Sequence, residues 1–228
     1  TPGWSGEINN RKEPATLEPV VVTATRTEIP IHQVSSTLTV ITAEDITQQA
    51  PNSIAEILLN VPGLKVTQVG GPGAHTTMTI RGAKSSQVLF LIDGQPVTDP
   101  SSAGNDLNTF LGSLLPDDVD RIEIIRGTQS TLYGSDAIGG VVNIITKKGI
   151  GKPKHNLFFE GGSENSFRET LSSSGKLKDR IGYSFTYARQ DTDGIDDHDE
   201  YKNNTLSGKL DIDLRNDLQL TLQTRYLD

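Results

Sequence analysis

At residues 132–146 the chain reads LYGSDAIGGVVNIIT, a glycine-containing turn that leads directly into a β-branched run. The run at 141–146 is typical of a buried strand, and Gly134-Ser135-Asp136 is typical of a turn. Toward the N terminus, similar short β runs alternate with glycine-rich turns. They lie at residues 37–41, 66–69, 77–80, 88–92 and 121–125. This pattern predicts a compact domain that ends near residue 150.

Two short amphipathic helices are expected between the first two of these strands. Thr42 followed by Asp45 resembles a capping box, and Asn52 or Ser53 can cap a second helix that Pro62-Gly63 ends. The helices are predicted at residues 43–49 and 54–60. Because strands and helices share one unit, the predicted fold class is α+β.

The N-terminal segment is polar and proline-containing up to Pro19, without an apolar period, which predicts a flexible leader. It runs into a β-branched segment at 20–25, which can pair with a strand edge either in its own domain or on a partner. The sequence therefore divides into a leader at 1–25, the α+β domain at 26–150 and a third region at 151–228.

The third region alternates apolar and polar residues over segments of about ten residues, which fits strands of a membrane β-barrel. Five strands are predicted, at residues 156–162, 167–174, 181–188, 206–214 and 218–226. A soluble meander with its apolar face on a core fits the alternation equally well. Five strands cannot close a barrel, so we expect the natural protein to continue past Asp228.

Composition excludes several classes of function. The 21 basic and 29 acidic residues give a net charge of −8, which argues against nucleic acid as a partner. The chain has no cysteine, so it has no disulfide or thiolate site. No nucleophile elbow, phosphate loop or paired-histidine metal site is present, so an enzyme is not expected.

Several segments together resemble the TonB-dependent outer-membrane receptors, and among these the vitamin B12 receptor branch most nearly. The similarity extends over residues 18–228. Its motifs are EPVVVTA at 18–24, LLNVPG at 58–63, IRG at 80–82, VLFLIDG at 88–94, RIEIIRG at 121–127 and LYGSDAIGGVVNIIT at 132–146. Each is weak alone, but their order and spacing make chance agreement improbable.

The resemblance implies a plug domain, with a mixed sheet and short helices, inside a 22-stranded transmembrane barrel of a Gram-negative outer membrane. Outer-membrane lipid and the TonB energy-coupling protein would be its partners, and TonB would bind by strand addition. The implied TonB box consists of Glu18, Pro19, Val20, Val21, Val22, Thr23 and Ala24.

Arg81 and Arg126 match plug arginines that meet barrel glutamates in this family. A guanidinium group suits that role, because it can pair with a carboxylate through two parallel hydrogen bonds. Solvated surface arginines are the alternative.

The family binds its ligand on outward-facing plug loops, which correspond here to 68–77 and 97–108. The implied ligand is a metal-chelate small molecule, and the candidate substrate-binding residues are Gln68, Gly70, Gly71, Gly73, His75, Thr76, Ser101, Ser102 and Asn105. The same composition also marks ordinary exposed turns. His75 is either near a metal-bearing ligand or simply solvated.

An acidic loop between the third and fourth strands resembles the calcium-binding loop of the B12 branch. Its candidate ligands are Asp191, Asp193, Asp196, Asp197 and Asp199, with Glu200 next to them. Clustered carboxylates suit a hard cation such as calcium, and a solvated acidic loop is the alternative. No other cofactor is expected.

These features predict energised uptake of a metal-bearing nutrient, with a cobalamin ahead of a ferric siderophore or haem. Two alternatives stay open. One is a truncated plug-type binding module that pairs through exposed strand edges. The other is a signalling receptor, although family members that signal carry an extra domain before the box and only 17 residues precede Glu18 here.

Overall fold

The computed structural model describes residues 37–71, 73–97, 114–178, 180–194, 200–215 and 218–228, and the backbone of 21–22 and 29–30. Its first part is an α+β domain, as expected. The strands of this domain are β1 (Val21–Val22), β2 (Ile29–Pro30), β3 (Thr37–Thr42), β4 (Leu64–Gln68), β5 (Thr76–Ile80), β6 (Val88–Ile92), β7 (Gln95–Pro96), β8 (Val119–Arg126) and β9 (Gly140–Thr146). The helices are α1 (Ala43–Gln49), α2 (Ile54–Leu59) and α3 (Ser130–Tyr133).

Five of these strands form a mixed sheet in the order β3-β8-β9-β6-β7. Only the β6–β9 pair is parallel, and the other neighbours are antiparallel. The central strands are apolar because both faces of the sheet are covered. One face packs on α1, α2 and the β4–β5 hairpin, around residues such as Ile54, Ile122 and Ile144. The other face holds a smaller cluster around Leu91 and Val141.

Both predicted helices are confirmed, and their caps explain where they begin. Thr42 and Asp45 form the expected capping box of α1, and hydrogen bonds from Thr42 lower the pKa of the Asp45 carboxyl. Ser53, and not Asn52, caps α2, since its hydroxyl accepts a hydrogen bond from the Glu56 amide at 3.3 Å. The caps hold α2 so that its apolar side lies on the sheet.

The second part is a meander of five antiparallel strands, in the order β10-β11-β12-β13-β14. Their bounds are β10 (Lys154–Gly161), β11 (Phe167–Leu177), β12 (Ile181–Thr192), β13 (Tyr201–Arg215) and β14 (Leu218–Leu227). All five predicted strands are present, and β12 and β13 are longer than expected because their ladder continues through polar residues such as Gln190 and Asn203. The predicted boundary at residue 150 falls between β9 and β10.

The orientation of the meander decides between the two interpretations of its alternation. Its polar face lies on the α+β domain, with Thr186, Thr205 and Ser207 buried there. Its apolar face points away, and Phe185 and Leu222 are 41% and 53% exposed. The soluble-meander alternative is therefore wrong, because it requires the apolar face to cover the core. A face of this kind is complementary to lipid. No described helix is long and apolar enough to cross a membrane.

The outward apolar face generates a prediction for neighbouring residues of β14. Leu222 lies on the outer face near the middle of this ten-residue strand, whereas Thr221 faces inward with its hydroxyl 2.6 Å from Asp211. In the protein inserted in a lipid bilayer, Leu222→Arg should cost about 2–4 kcal/mol of folding free energy, because an arginine at mid-bilayer depth is poorly solvated. Thr221→Arg is the matched control and should cost little, since Asp211 can pair with it. Denaturant titration in lipid vesicles measures both, and equal losses would contradict the orientation.

Candidate functional site

The loop between β4 and β5 is held in shape by its own hydrogen bonds. The Val69 amide donates to the His75 carbonyl at 3.1 Å, and the Ala74 amide donates to the Gly71 carbonyl at 3.2 Å. The Gln68 side chain donates to that same carbonyl at 2.7 Å. The loop therefore presents a fixed backbone surface, which is the form of site that a bulky polar ligand can use.

The predicted substrate-binding residues of this loop have different roles in its geometry. Gly70 and Gly73 adopt φ values of 115° and 73°, where other residues are strained. His75 is exposed, whereas Thr76 is buried and its hydroxyl donates to the Ala74 carbonyl inside the loop. The other predicted residues, Ser101, Ser102 and Asn105, lie outside the described part of the chain.

A cavity of about 420 Å³ separates this loop from the meander. Gly71 lines its domain side, and the β10–β11 turn and the end of β12 line the meander side. The ends of the strands around residues 162–166 and 191–194 are called here the loop end of the meander. The domain loop and the loop end thus form two sides of one recess, large enough for part of a small ligand.

The acidic loop is described only in part. Asp191 accepts two hydrogen bonds from Arg189, and Asp193 accepts one from Asn165. Both bonds from Arg189 go to Oδ2, so a cation bound by Asp191 would share this carboxylate with the guanidinium. The remaining candidates, Asp196, Asp197 and Asp199, lie outside the described residues, and calcium stays a prediction.

Arg81 and Arg126 lie together at the end of the mixed sheet where β8 finishes and β3 begins. Arg81 donates to the Thr37 hydroxyl at 3.2 Å, and Arg126 donates to the Thr39 hydroxyl. Burial, reinforced by the charge of Arg81, lowers the pKa of Arg126. Within the described ranges neither guanidinium has a carboxylate partner. Their expected role as contacts to a barrel stays a prediction.

The opposite end of the mixed sheet carries three carboxylates, each paired with a base of the meander. Asp117 pairs with Arg168 at 2.8 Å, Asp93 with Lys209 at 3.0 Å, and Asp118 with Arg225. All six side chains are at most 12% exposed. We refer to them as the acid–base seam. Pairs this deeply buried exert strong electrostatic control over how two surfaces dock.

Asp93 is the most highly connected member of the acid–base seam. Its carboxylate accepts hydrogen bonds from the Thr146 amide at 3.0 Å, the Thr146 hydroxyl at 2.5 Å and Gln223 at 2.8 Å, besides the pair with Lys209. The backbone amide of Asp93 also donates to the Ile144 carbonyl at 2.9 Å. One carboxylate therefore joins the ends of β6 and β9 to both β13 and β14.

Sequence reasoning missed the acid–base seam. The sequence indicates only the meander half of the seam, because the alternation places Lys209 and Arg225 on the polar faces of their strands. Nothing local identifies their partners, since Asp118 and Arg225 are 107 positions apart along the chain.

The predicted TonB box is described only at Val21–Val22, where the backbone is extended and pairs antiparallel with Ile29–Pro30. Sequence reasoning left open whether this segment pairs within its own domain or on a partner, and the described part pairs within the chain. The other box residues lie outside the described ranges.

The chain is similar in sequence to known receptors. The profile of the TonB-dependent Receptor Plug Domain matches residues 30–141. The vitamin B12 transporter BtuB of Vibrio vulnificus is 31% identical over 207 residues, which cover 87% of this chain and 33% of that transporter. The chain thus spans about a third of the length of this curated relative.

Solved structures show the same arrangement of plug and strands. The ferripyoverdine receptor of the outer membrane of Pseudomonas aeruginosa superposes with a TM-score of 0.78 at 27% identity, covering 92% of this chain and 27% of the receptor. The siderophore receptor PirA of the same organism gives 0.66 at 30% identity, covering 86% and 34%. The fold expected from the motifs is confirmed by both likenesses.

The acid–base seam generates a second prediction. Lys209→Met leaves the buried Asp93 carboxylate without its base, which should cost about 3 kcal/mol. Lys176→Met in the same meander is the matched control. The side chains of Lys176 and its partner Asp213 are 35% and 40% exposed, so this ion pair should contribute only roughly 0–1 kcal/mol. Hydrogen exchange at the Asp93 and Thr146 amides should accelerate roughly a hundredfold in the first variant only. Similar exchange in both variants would show that the seam does not stabilise the sheet end.

Proposed function

Because the chain belongs to the TonB-dependent receptor family, we propose that it is part of an outer-membrane transporter that imports a metal-bearing nutrient. The observation that carries this proposal is the orientation of the meander, polar toward the plug and apolar outward. A plug held inside a barrel needs this orientation, since the barrel meets lipid outside and polar plug groups inside. The loop end then faces the outside medium, with the β4–β5 loop exposed to arriving ligand.

Cobalamin is the leading ligand in this proposal, ahead of a ferric siderophore or haem. The B12 transporter relative supports it, while the similar solved structures are receptors of siderophores. The chemistry of the β4–β5 loop agrees with a large neutral ligand, because residues 68–77 offer backbone groups, an amide and an imidazole and include no Asp, Glu, Lys or Arg. Nothing in the described residues favours the signalling or binding-module alternative.

Energy coupling in this proposal proceeds through strand addition at residues 18–24. The extended backbone at Val21–Val22 pairs with Ile29–Pro30 along one edge, and a partner strand would add along its other edge. Pairing there would let a pull from the periplasm act on the plug, whose sheet begins soon afterward at β3. Pro19 is compatible with such an edge strand, because proline has no N–H to donate.

Ligand identity is tested by binding to the full-length receptor in purified outer membranes. The Kd is measured for cyanocobalamin, ferripyoverdine and haemin under the same conditions. The Kd of cyanocobalamin should be at least about tenfold lower than the other two, a difference of about 1.4 kcal/mol in binding free energy. Preferential binding of ferripyoverdine or haemin would reverse the ranking. Failure of all three probes would remove the uptake proposal for this class of ligand.

Coupling is tested separately. Val21→Pro removes a ladder N–H in the middle of the box and should abolish energised uptake of the bound ligand, while equilibrium binding stays unchanged. Ala15→Pro is the control, because it adds a proline beside Pro14 before the box. Uptake assays in energised cells measure both, and full uptake by the Val21→Pro receptor would place the coupling segment elsewhere.

A further inference from the structure

A tyrosine of the meander lies directly against a glycine of the β4–β5 loop. A Cβ atom added to Gly73 would lie 2.8 Å from Cδ2 of Tyr201 and nearer still to Cε2. Real Cβ atoms do not approach carbon atoms so closely, so the ring occupies the space that any side chain at position 73 would need. The loop of the plug and the first residue of β13 are therefore in close contact.

The Tyr201 ring is held in place from behind. Its hydroxyl accepts a hydrogen bond from the Asn203 side-chain amide at 2.6 Å, and the Asn203 carbonyl oxygen accepts one from the Thr205 hydroxyl at 3.1 Å. Asn203 and Thr205 are 2% and 3% exposed. This chain of hydrogen bonds follows the inner face of β13, and it fixes the ring with respect to a strand. The ring is thus a rigid support and not a mobile surface group.

The position of this contact connects the two sides of the recess described above. Tyr201 pairs in register with Thr192, which lines the cavity of about 420 Å³ on the meander side. Gly73 is two residues from Gly71, which lines it on the plug side. A shift of the ring would change the width of the recess, because the loop is stiffened by its own hydrogen bonds and moves as one piece.

We propose that Tyr201 is a positioning residue, which clamps the β4–β5 loop of the plug to the barrel strand and so sets the geometry of the ligand-facing recess. Its effect on ligand binding rests on the proposed function, whereas its effect on the loop does not. Tyr201 acts by pre-organising the loop, and it need not touch the ligand. Ligand affinity then depends on the fraction of time that the loop is in place.

The test uses a spin label on the full-length receptor in outer membranes. Val69 is 71% exposed in the same loop, and the chain has no cysteine of its own, so Val69→Cys gives one labelling site in this region. Tyr201→Ala should convert an immobilised spectrum into one dominated by a mobile component. Tyr201→Phe keeps the ring against Gly73 but loses the hydrogen bond from Asn203, so it should give a spectrum between those of the unaltered receptor and Tyr201→Ala.

Two further variants keep the test decisive. Tyr226→Ala removes an aromatic ring from the outward face of β14, where it is 58% exposed, and should leave the label immobilised. Gly73→Ala probes the contact from the plug side with β13 unchanged. It should mobilise the label, because the added Cβ collides with the ring and is strained at a φ of 73°. With Tyr201→Ala already present only the strain remains, so Gly73→Ala should add less. An immobilised spectrum in both Tyr201→Ala and Gly73→Ala would overturn the proposal.

Binding of cyanocobalamin to the same receptors shows whether the contact that holds the loop also affects ligand affinity. If the loop is in place for about a tenth of the time in Tyr201→Ala, the apparent Kd rises about tenfold. Mobilisation of the label without any change in Kd would refute the role in ligand geometry and leave the clamp. If cyanocobalamin does not bind the unaltered receptor, the ligand assignment fails, and the spectra still decide whether Tyr201 holds the loop.

Discussion

The three carboxylates of the acid–base seam, those of Asp93, Asp117 and Asp118, impose the main constraint on this structure. Buried carboxylates are strongly unfavourable unless bases and hydrogen-bond donors surround them. The three bases come from the inner face of the meander, so the carboxylates at the sheet end are neutralised only when the meander is docked on the plug. The polar inner face of β11, β13 and β14 follows from this requirement, and the apolar residues of these strands are then left on the outside.

Burial of ion pairs contributes less to stability than to specificity, because desolvation offsets most of the Coulomb attraction. The two ends of the mixed sheet have opposite charge, with carboxylates at one end and Arg81 and Arg126 at the other. The bases Arg168, Lys209 and Arg225 would repel the arginines if the plug were turned end for end. Such a like-charge arrangement excludes the wrong orientation more effectively than apolar packing does, because apolar surfaces pack in many orientations.

Local features of this protein could be predicted from the sequence, and long-range pairing could not. The helix caps depend on residues three positions apart, such as Thr42 and Asp45, so their pattern is visible in the chain. The alternation in β12 and β13 likewise indicates strands, but it does not tell whether the apolar face points toward the core or away from it. Only the docking of Thr186 and Ser207 on the plug decided that question. The seam and the contact of Gly73 with Tyr201 join residues more than 50 positions apart, for which a single sequence carries no signal.

The acid–base seam and the contact at Tyr201 act on different parts of the plug, and this separation has a consequence for the position of the β4–β5 loop. The seam fixes the ends of β6, β8 and β9, which form the rigid frame of the mixed sheet. Among the described residues, the β4–β5 hairpin forms a separate two-stranded sheet and shares no ladder with that frame. The strands of the hairpin are held by apolar packing of Met78 and Ile80 on the sheet. The contact from β13 to Gly73 adds a constraint at the tip, and β13 also carries Lys209 of the seam. One strand thus contacts both the frame and the β4–β5 loop, and the spacing of Tyr201 and Lys209 along it contributes to their relative position.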